Sequence, residues 1–115
     1  IYSMCGSLSD IDTADKILFI EDLDEYLYHV DRMMMNLKRT GKLDNLAALV
    51  VGGMSDMNDN AIPFGKTAEE IILEHTQEYN YPVYFGFQAG HQQPNVALRF
   101  GLNAEIKDNQ LLLPA

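Results

Sequence analysis

The sequence predicts an α/β fold with a mixed sheet, or two small sheets covered by helices, and three observations predict it. Two runs of consecutive apolar residues, Ile17-Leu18-Phe19-Ile20 and Leu46-Ala47-Ala48-Leu49-Val50-Val51, read as strands buried on both faces. One amphipathic helical stretch lies between them, so the pair forms a βαβ unit with parallel strands and a right-handed crossover. The last part of the chain holds two short runs joined by Asp108-Asn109, residues that tolerate positive φ, which predicts an antiparallel hairpin.

In chain order, Ile1 to Gly6 reads as the end of a helix with Gly6 just past its terminus. Ser7 to Asp15 is rich in Ser, Asp and Thr and reads as a loop. The strand at 17–20 ends in a burst of carboxylates: Glu21, Asp22, Asp24 and Glu25. Asp22 and Glu25 have the spacing of a capping box. Leu27, Val30, Met34 and Leu37 then recur at +3, +4 and +3 as one apolar stripe. Lys38 and Arg39 suit the negative end of the helix dipole, and Gly41 closes the helix. Met33, Met34 and Met35 point in three directions on that helix, so they read as packing residues rather than a soft-metal site.

The strand at 46–51 is ended by Gly52-Gly53 and followed by a polar loop. Thr67-Ala68-Glu69-Glu70 opens a second helix with capping-box spacing; Ala68, Ile71, Ile72 and His75 share its inner face. Pro82 precedes a third strand, Val83 to Phe87, which is where a proline is tolerated. Val96 to Phe100 reads as a further strand, and Asn103 to Lys107 with Gln110 to Leu113 as the hairpin.

The 115 residues are long enough for one domain with one core, and 47% hydrophobic with 22% charged residues is ordinary for a globular protein. A net charge of -9 argues against nucleic acid as a partner, because phosphates must be met by Lys and Arg. It also disfavours an anionic membrane surface, and no apolar run approaches the ~20 residues that span a bilayer. Cys5 is the one cysteine, which fits a reducing compartment, and reads as a small buried hydrophobe. The chain starts at Ile1 without a cap or linker and is expected to be a fragment of something longer.

Two residues stand out as chemistry. Glu21 ends a buried strand, where the strand fixes the backbone while the side chain stays reachable. His91 follows Gly90 in a short loop beyond the third strand, and the glycine lets the backbone place the ring. Asp22, Glu25 and Gly90 are their supporting neighbours. Ser55 follows a strand in Gly53-Met54-Ser55-Asp56, yet Met57 stands where a nucleophile elbow needs glycine, so it reads as a loop serine. His75 and His29 read as helix-surface or packing histidines. A metal site of Glu21, Asp22, His91 and Asp56 lacks any recognised ligand spacing. No metal and no cofactor is expected.

The string from Ile17 to Gly53 resembles the LD-carboxypeptidases, also called muramoyltetrapeptide carboxypeptidases. The likeness is carried by Glu21, Asp22, Glu25, Tyr28, Asp31, Arg32, Gly41 and the strand at 46–51. A second block is similar too: Pro82, Gly90-His91, Asn95, Leu98 and Gly101, with Gly6-Ser7 ahead of the first strand. The resemblance implies a serine peptidase with a Ser-Glu-His triad, in which Glu21 is the acid and His91 the base. It implies that residues 1–115 are the C-terminal domain, a three-layer β/β/α arrangement of the swivelling type. The nucleophile would lie in a separate N-terminal domain, so the Ser55 string is a decoy and this chain by itself is expected to be inactive. The implied substrate is a cytoplasmic muropeptide tetrapeptide that loses its terminal D-Ala at the L-to-D bond during cell-wall recycling. A related branch cleaves a peptidyl-nucleotide antibiotic of the microcin C type and gives self-immunity. Homodimers are common in the family. A binding module without chemistry is the reading from another class.

Overall fold

The computed structural model describes residues 1–114. Its first βαβ unit is the predicted one: strand β1 (Ile17–Leu23), helix α1 (Leu27–Arg39) and strand β2 (Ala48–Ser55). The two strands pair in parallel, from Ile17 opposite Ala48 to Ile20 opposite Val51. Helix α2 (Ala68–Thr76) leads to β3 (Val83–Tyr84), which pairs in parallel with the other side of β2. The sheet order is therefore β1-β2-β3, with β2 in the middle. That position explains its sequence: Ala48 to Gly53 are all buried, as a central parallel strand requires.

Both helices cover one face. Leu18, Leu49 and Val51 of the sheet form a single core with Val30, Met34 and Leu37 of α1, Ile71 and Ile72 of α2, and the connecting Leu43 and Leu46. The stripe on α1 is the predicted one, and of the three consecutive methionines Met34 is buried while Met35 is exposed. At the start of α2 the capping box forms: Glu70 N–H donates to Thr67 Oγ1 at 3.2 Å, and Thr67 N–H donates to Glu70 Oε2 at 2.8 Å. His75 is buried and bonds Asp31 Oδ1 at 2.8 Å, which ties α2 to α1.

The second face of the sheet is covered by the C-terminal tail. Strands β4 (Glu105–Lys107) and β5 (Gln110–Leu112) form the predicted hairpin, with Asp108 and Asn109 both at positive φ. Ile106 and Leu111 line the same cleft as Val50, Tyr84 and Phe19, an open space of about 1030 Å³. The layers run hairpin, sheet, helices.

Several boundaries differ from the expectation, each for a pairing reason. Of the two expected arrangements the structure takes two small sheets, a wholly parallel one and the antiparallel hairpin, and not one mixed sheet; the expected strand 96–100 pairs with no strand. The third strand is shorter than 83–87, since Gly86 turns the chain at φ 73°, although Phe87 N–H still reaches Val51 O at 3.1 Å. β1 and β2 each run on past the predicted ends, so Glu21 and Asp22 lie inside β1 and Gly52-Gly53 inside β2. Asp22 and Glu25 consequently make no capping box: Tyr26 is the N-cap of α1 and its side chain caps nothing. The N-terminal helix end is one 3-10 turn, Tyr2–Met4, with Gly6 at φ 78° just beyond it.

Tyr79 closes the far end of α2, stacked on Tyr81 with ring centroids 5.3 Å apart and bonded through its hydroxyl to Asp44 Oδ1 at 3.2 Å. Burial, then the bond to the Asp44 carboxylate, pushes its pKa up to about 12. The folded state thus favours the neutral phenol, so its contribution is full below the unfolded value near 10 and is lost as pH rises towards 12. In chemical denaturation across pH 9–12, the wild-type chain loses stability over that window and Tyr79→Phe loses less. At neutral pH, Thr67→Ala lowers unfolding free energy by about 1 kcal/mol, because the Glu70 amide at the start of α2 loses its Oγ1 partner.

Candidate functional site

The site starts from a mismatch between two strands. Ile20 stands opposite Val51, but Asp22 stands opposite Met54, so Gly52 and Gly53 together face Glu21. This is a β-bulge, a device that bends a strand and re-aims the side chain opposite it. Only glycine fits there. A Cβ on Gly52 would lie 2.5 Å from Ala89 O and 2.7 Å from the Phe19 ring. The segment beyond β3 therefore rests directly on the backbone of β2, and Gly53 N–H donates to Ala89 O at 3.0 Å.

That contact carries the next residues over β1. Gly90 adopts φ 122°, and a Cβ there would stand 2.7 Å from Glu21 Oε2. His91 follows, with its Nδ1 3.2 Å from the same oxygen. An ionised carboxylate can only accept, so Nδ1 is the donor, and in the neutral ring that leaves the lone pair on Nε2. Nε2 has no partner among the described residues. The His91 side chain is 58% exposed and that of Glu21 27%, so the pair adds little to stability and its effect is orientation. What results is an imidazole held by one nitrogen and open at the other, which is the geometry of a general base.

The other predicted neighbours divide. Gly90 belongs to the site by its close approach to Glu21. Asp22 lies next to Glu21 in β1, where alternation sends its side chain to the other face, and its Oδ1 accepts from Leu23 N–H at 2.8 Å. Glu25 faces elsewhere. Its Oε1 accepts from Tyr26 N–H and its Oε2 bonds His29 Nδ1, both at 2.8 Å, which together hold its carboxyl below the usual range. His29 in turn bonds the Tyr2 hydroxyl at 3.3 Å. Glu25 and His29 thus fasten the N-terminal turn to α1.

Ser55 is the last residue of β2, paired with Leu23, and the next helix starts only at Ala68, so it sits on no strand-to-helix turn. Among the described residues no three His, Cys, Asp or Glu side chains gather as a metal centre requires, and no helix is long and apolar enough to cross a membrane. The sequence reading missed the bulge. Its signal was present in Gly52-Gly53 directly after an apolar run, where a strand that accepts two glycines marks close approach of another backbone.

Residues 1–106 match the family described as LD-carboxypeptidase C-terminal domain. The chain is 35% identical over 108 residues to a probable murein peptide carboxypeptidase of Bacillus subtilis, covering 90% of this chain and 33% of that protein. It is 27% identical to the murein tetrapeptide carboxypeptidase of Pseudomonas aeruginosa, covering 94% of this chain and 35% of the other. Among solved structures, a muramoyltetrapeptide carboxypeptidase from Oxalobacter formigenes superposes with a TM-score of 0.78 at 28% identity, over 99% of this chain and 38% of that one. The microcin C7 self-immunity protein MccF, in complex with aspartyl sulfamoyl adenosine, has the same TM-score at 25% identity, over 94% of this chain and 32% of its own. The chain spans about a third of the length of the curated relatives it matches.

Gly90→Ala tests the close approach. A Cβ at 2.7 Å from Glu21 Oε2, on a backbone at φ 122°, must push the carboxylate off His91. The His91 imidazole resonances in ¹⁵N NMR should lose the signature of a bonded Nδ1–H, and the variant should unfold at lower denaturant than wild type.

Proposed function

This chain belongs to the family of LD-carboxypeptidase C-terminal domains, and on that basis we propose that it contributes the acid and the base of a serine peptidase. The observation that carries the reading is the 3.2 Å approach of His91 Nδ1 to Glu21 Oε2, with Nε2 left open. Residues 1–115 act as the C-terminal domain, and the nucleophilic serine comes from another domain of the same protein.

The chemistry follows from the geometry. His91 Nε2 takes the proton from the serine hydroxyl as its oxygen attacks the carbonyl of the L-to-D peptide bond. Glu21 holds the ring by its Nδ1–H and stabilises the imidazolium that forms. The proton then passes from Nε2 to the amine of the departing D-Ala, and the acyl-serine is released by water activated on the same nitrogen. Without the serine, Glu21 and His91 have nothing to activate, so the 115 residues by themselves are inactive. The substrate is a murein tetrapeptide, a reading supported by the names of the Bacillus subtilis and Pseudomonas aeruginosa relatives. A cytoplasmic place in cell-wall recycling and a homodimeric state complete the proposal.

The likeness to MccF, at the same TM-score but lower identity, supports a second substrate reading, a peptidyl-nucleotide related to microcin C7. Release of D-Ala from murein tetrapeptide by the full-length protein, set beside cleavage of an aminoacyl sulfamoyl nucleoside analogue's peptide parent, decides between them. In either assay, Glu21→Gln and His91→Ala should each lower kcat on the order of 10⁴-fold. Wild-type rates in both variants would remove Glu21 and His91 as acid and base, and no turnover of either substrate by the full-length protein would return the chain to the class of binding modules.

A further inference from the structure

The segment that carries His91 is closed by two side chains that the proposed reaction does not use. Asn95 Oδ1 accepts from the backbone N–H of Gly90 at 3.1 Å, so its side chain reaches back to the Ala89–Gly90 peptide, from which the chain turns into His91. Gln92 Nε2 donates to Phe87 O at 3.1 Å, and its amide carbon lies 3.1 Å from where a Cβ on Gly53 would stand. At the base of the loop Val96 N–H meets Gln88 O at 2.6 Å. Against this, the ring of His91 has Glu21 as its one hydrogen-bond partner among the described residues, and its side chain is 58% exposed. Packing does not hold an imidazole that open. Its position is set by the backbone beneath it, and that backbone passes through Gly90, the residue with the widest conformational choice.

We propose that Asn95 is the positioning residue of the base: by pinning the Gly90 N–H it fixes the peptide that aims His91 Nδ1 at Glu21, with Gln92 as a second brace against β2. This rests on the reading of Glu21 and His91 as acid and base. Loss of the pin leaves the Ala89–Gly90 peptide held only through Ala89 O and Gly53 N–H, so it can tilt about that bond, and the imidazole then samples positions in which Nδ1 and Nε2 exchange roles. Misplacement on the scale of an ångström is enough to matter in an acid-base step.

The test uses the full-length protein with murein tetrapeptide as substrate, and compares Asn95→Ala, Asn95→Asp and Gln92→Ala with wild type. Asn95→Ala should lower kcat by about 10- to 100-fold while KM stays put. The ¹⁵N resonances of His91 should move from a fixed Nδ1–H tautomer towards an exchanging average. Asn95→Asp keeps an acceptor oxygen in place and should restore both, and Gln92→Ala should show the same direction with a smaller fall. The inference is overturned if Asn95→Ala has wild-type kcat, if its activity falls only in step with the folded fraction while the His91 resonances stay fixed, or if Asn95→Asp does not rescue. Activity that survives Glu21→Gln and His91→Ala instead removes the acid-base reading, and the His91 resonances still judge Asn95 on their own.

Discussion

The site depends on one close contact between two stretches of backbone. Ala89 lies so near the second strand that a single methyl group on Gly52 would sit 2.5 Å from its carbonyl oxygen. From there the chain has only to turn through Gly90 to bring an imidazole over a carboxylate that started 70 positions away. Move the loop outward by the size of a methyl and the pair separates. The acid and the base are therefore held together by what is absent at 52 and 90, more than by their own attraction.

The remainder of the architecture serves that contact. Two helices share one face of the sheet and one core, and β2 in the middle is the most buried strand. Open parallel sheets place ligands beyond the carboxyl ends of their strands, because loops leave there while the strands stay fixed. Glu21 near the end of β1 meets His91 there, because the segment beyond β3 crosses the end of the central strand to reach it. The bulge adds the last adjustment, since an extra residue in β2 changes how the end of β1 lies against it.

Three carboxylate-histidine contacts occur among the described residues, and they differ in consequence. His75 is buried and bonds Asp31, joining the two helices. His29 bonds Glu25 and also the Tyr2 hydroxyl, so both of its ring nitrogens are engaged in fastening the chain start. His91 and His75 each bond a carboxylate through one ring nitrogen, but the His75 side chain is buried between the helices while that of His91 is 58% exposed. Chemical type does not separate these pairs. What separates them is whether the second nitrogen is engaged, enclosed or open to solvent, and that is a property of the neighbours each ring happens to meet.

The sequence by itself determined the elements and the candidates. Apolar runs of strand length, the +3 and +4 stripe on α1, the Thr67–Glu70 capping box and the Asp108-Asn109 turn are all local patterns, and local hydrogen bonding with side-chain alternation is enough to read them. Glu21 and His91 stood out because each follows a strand, and the likeness to a known family joined them. Tertiary structure decided the rest. Whether β1 stops at Ile20 or runs to Leu23 depends on a partner strand that also runs on, so the pairing of Asp22 and Glu25 as a cap could not survive. Whether 96–100 becomes a strand depends on finding an edge to join, and none takes it. The partners of Glu25, His75 and Gly90 are set by packing across distant segments, and no periodicity within one element carries that information.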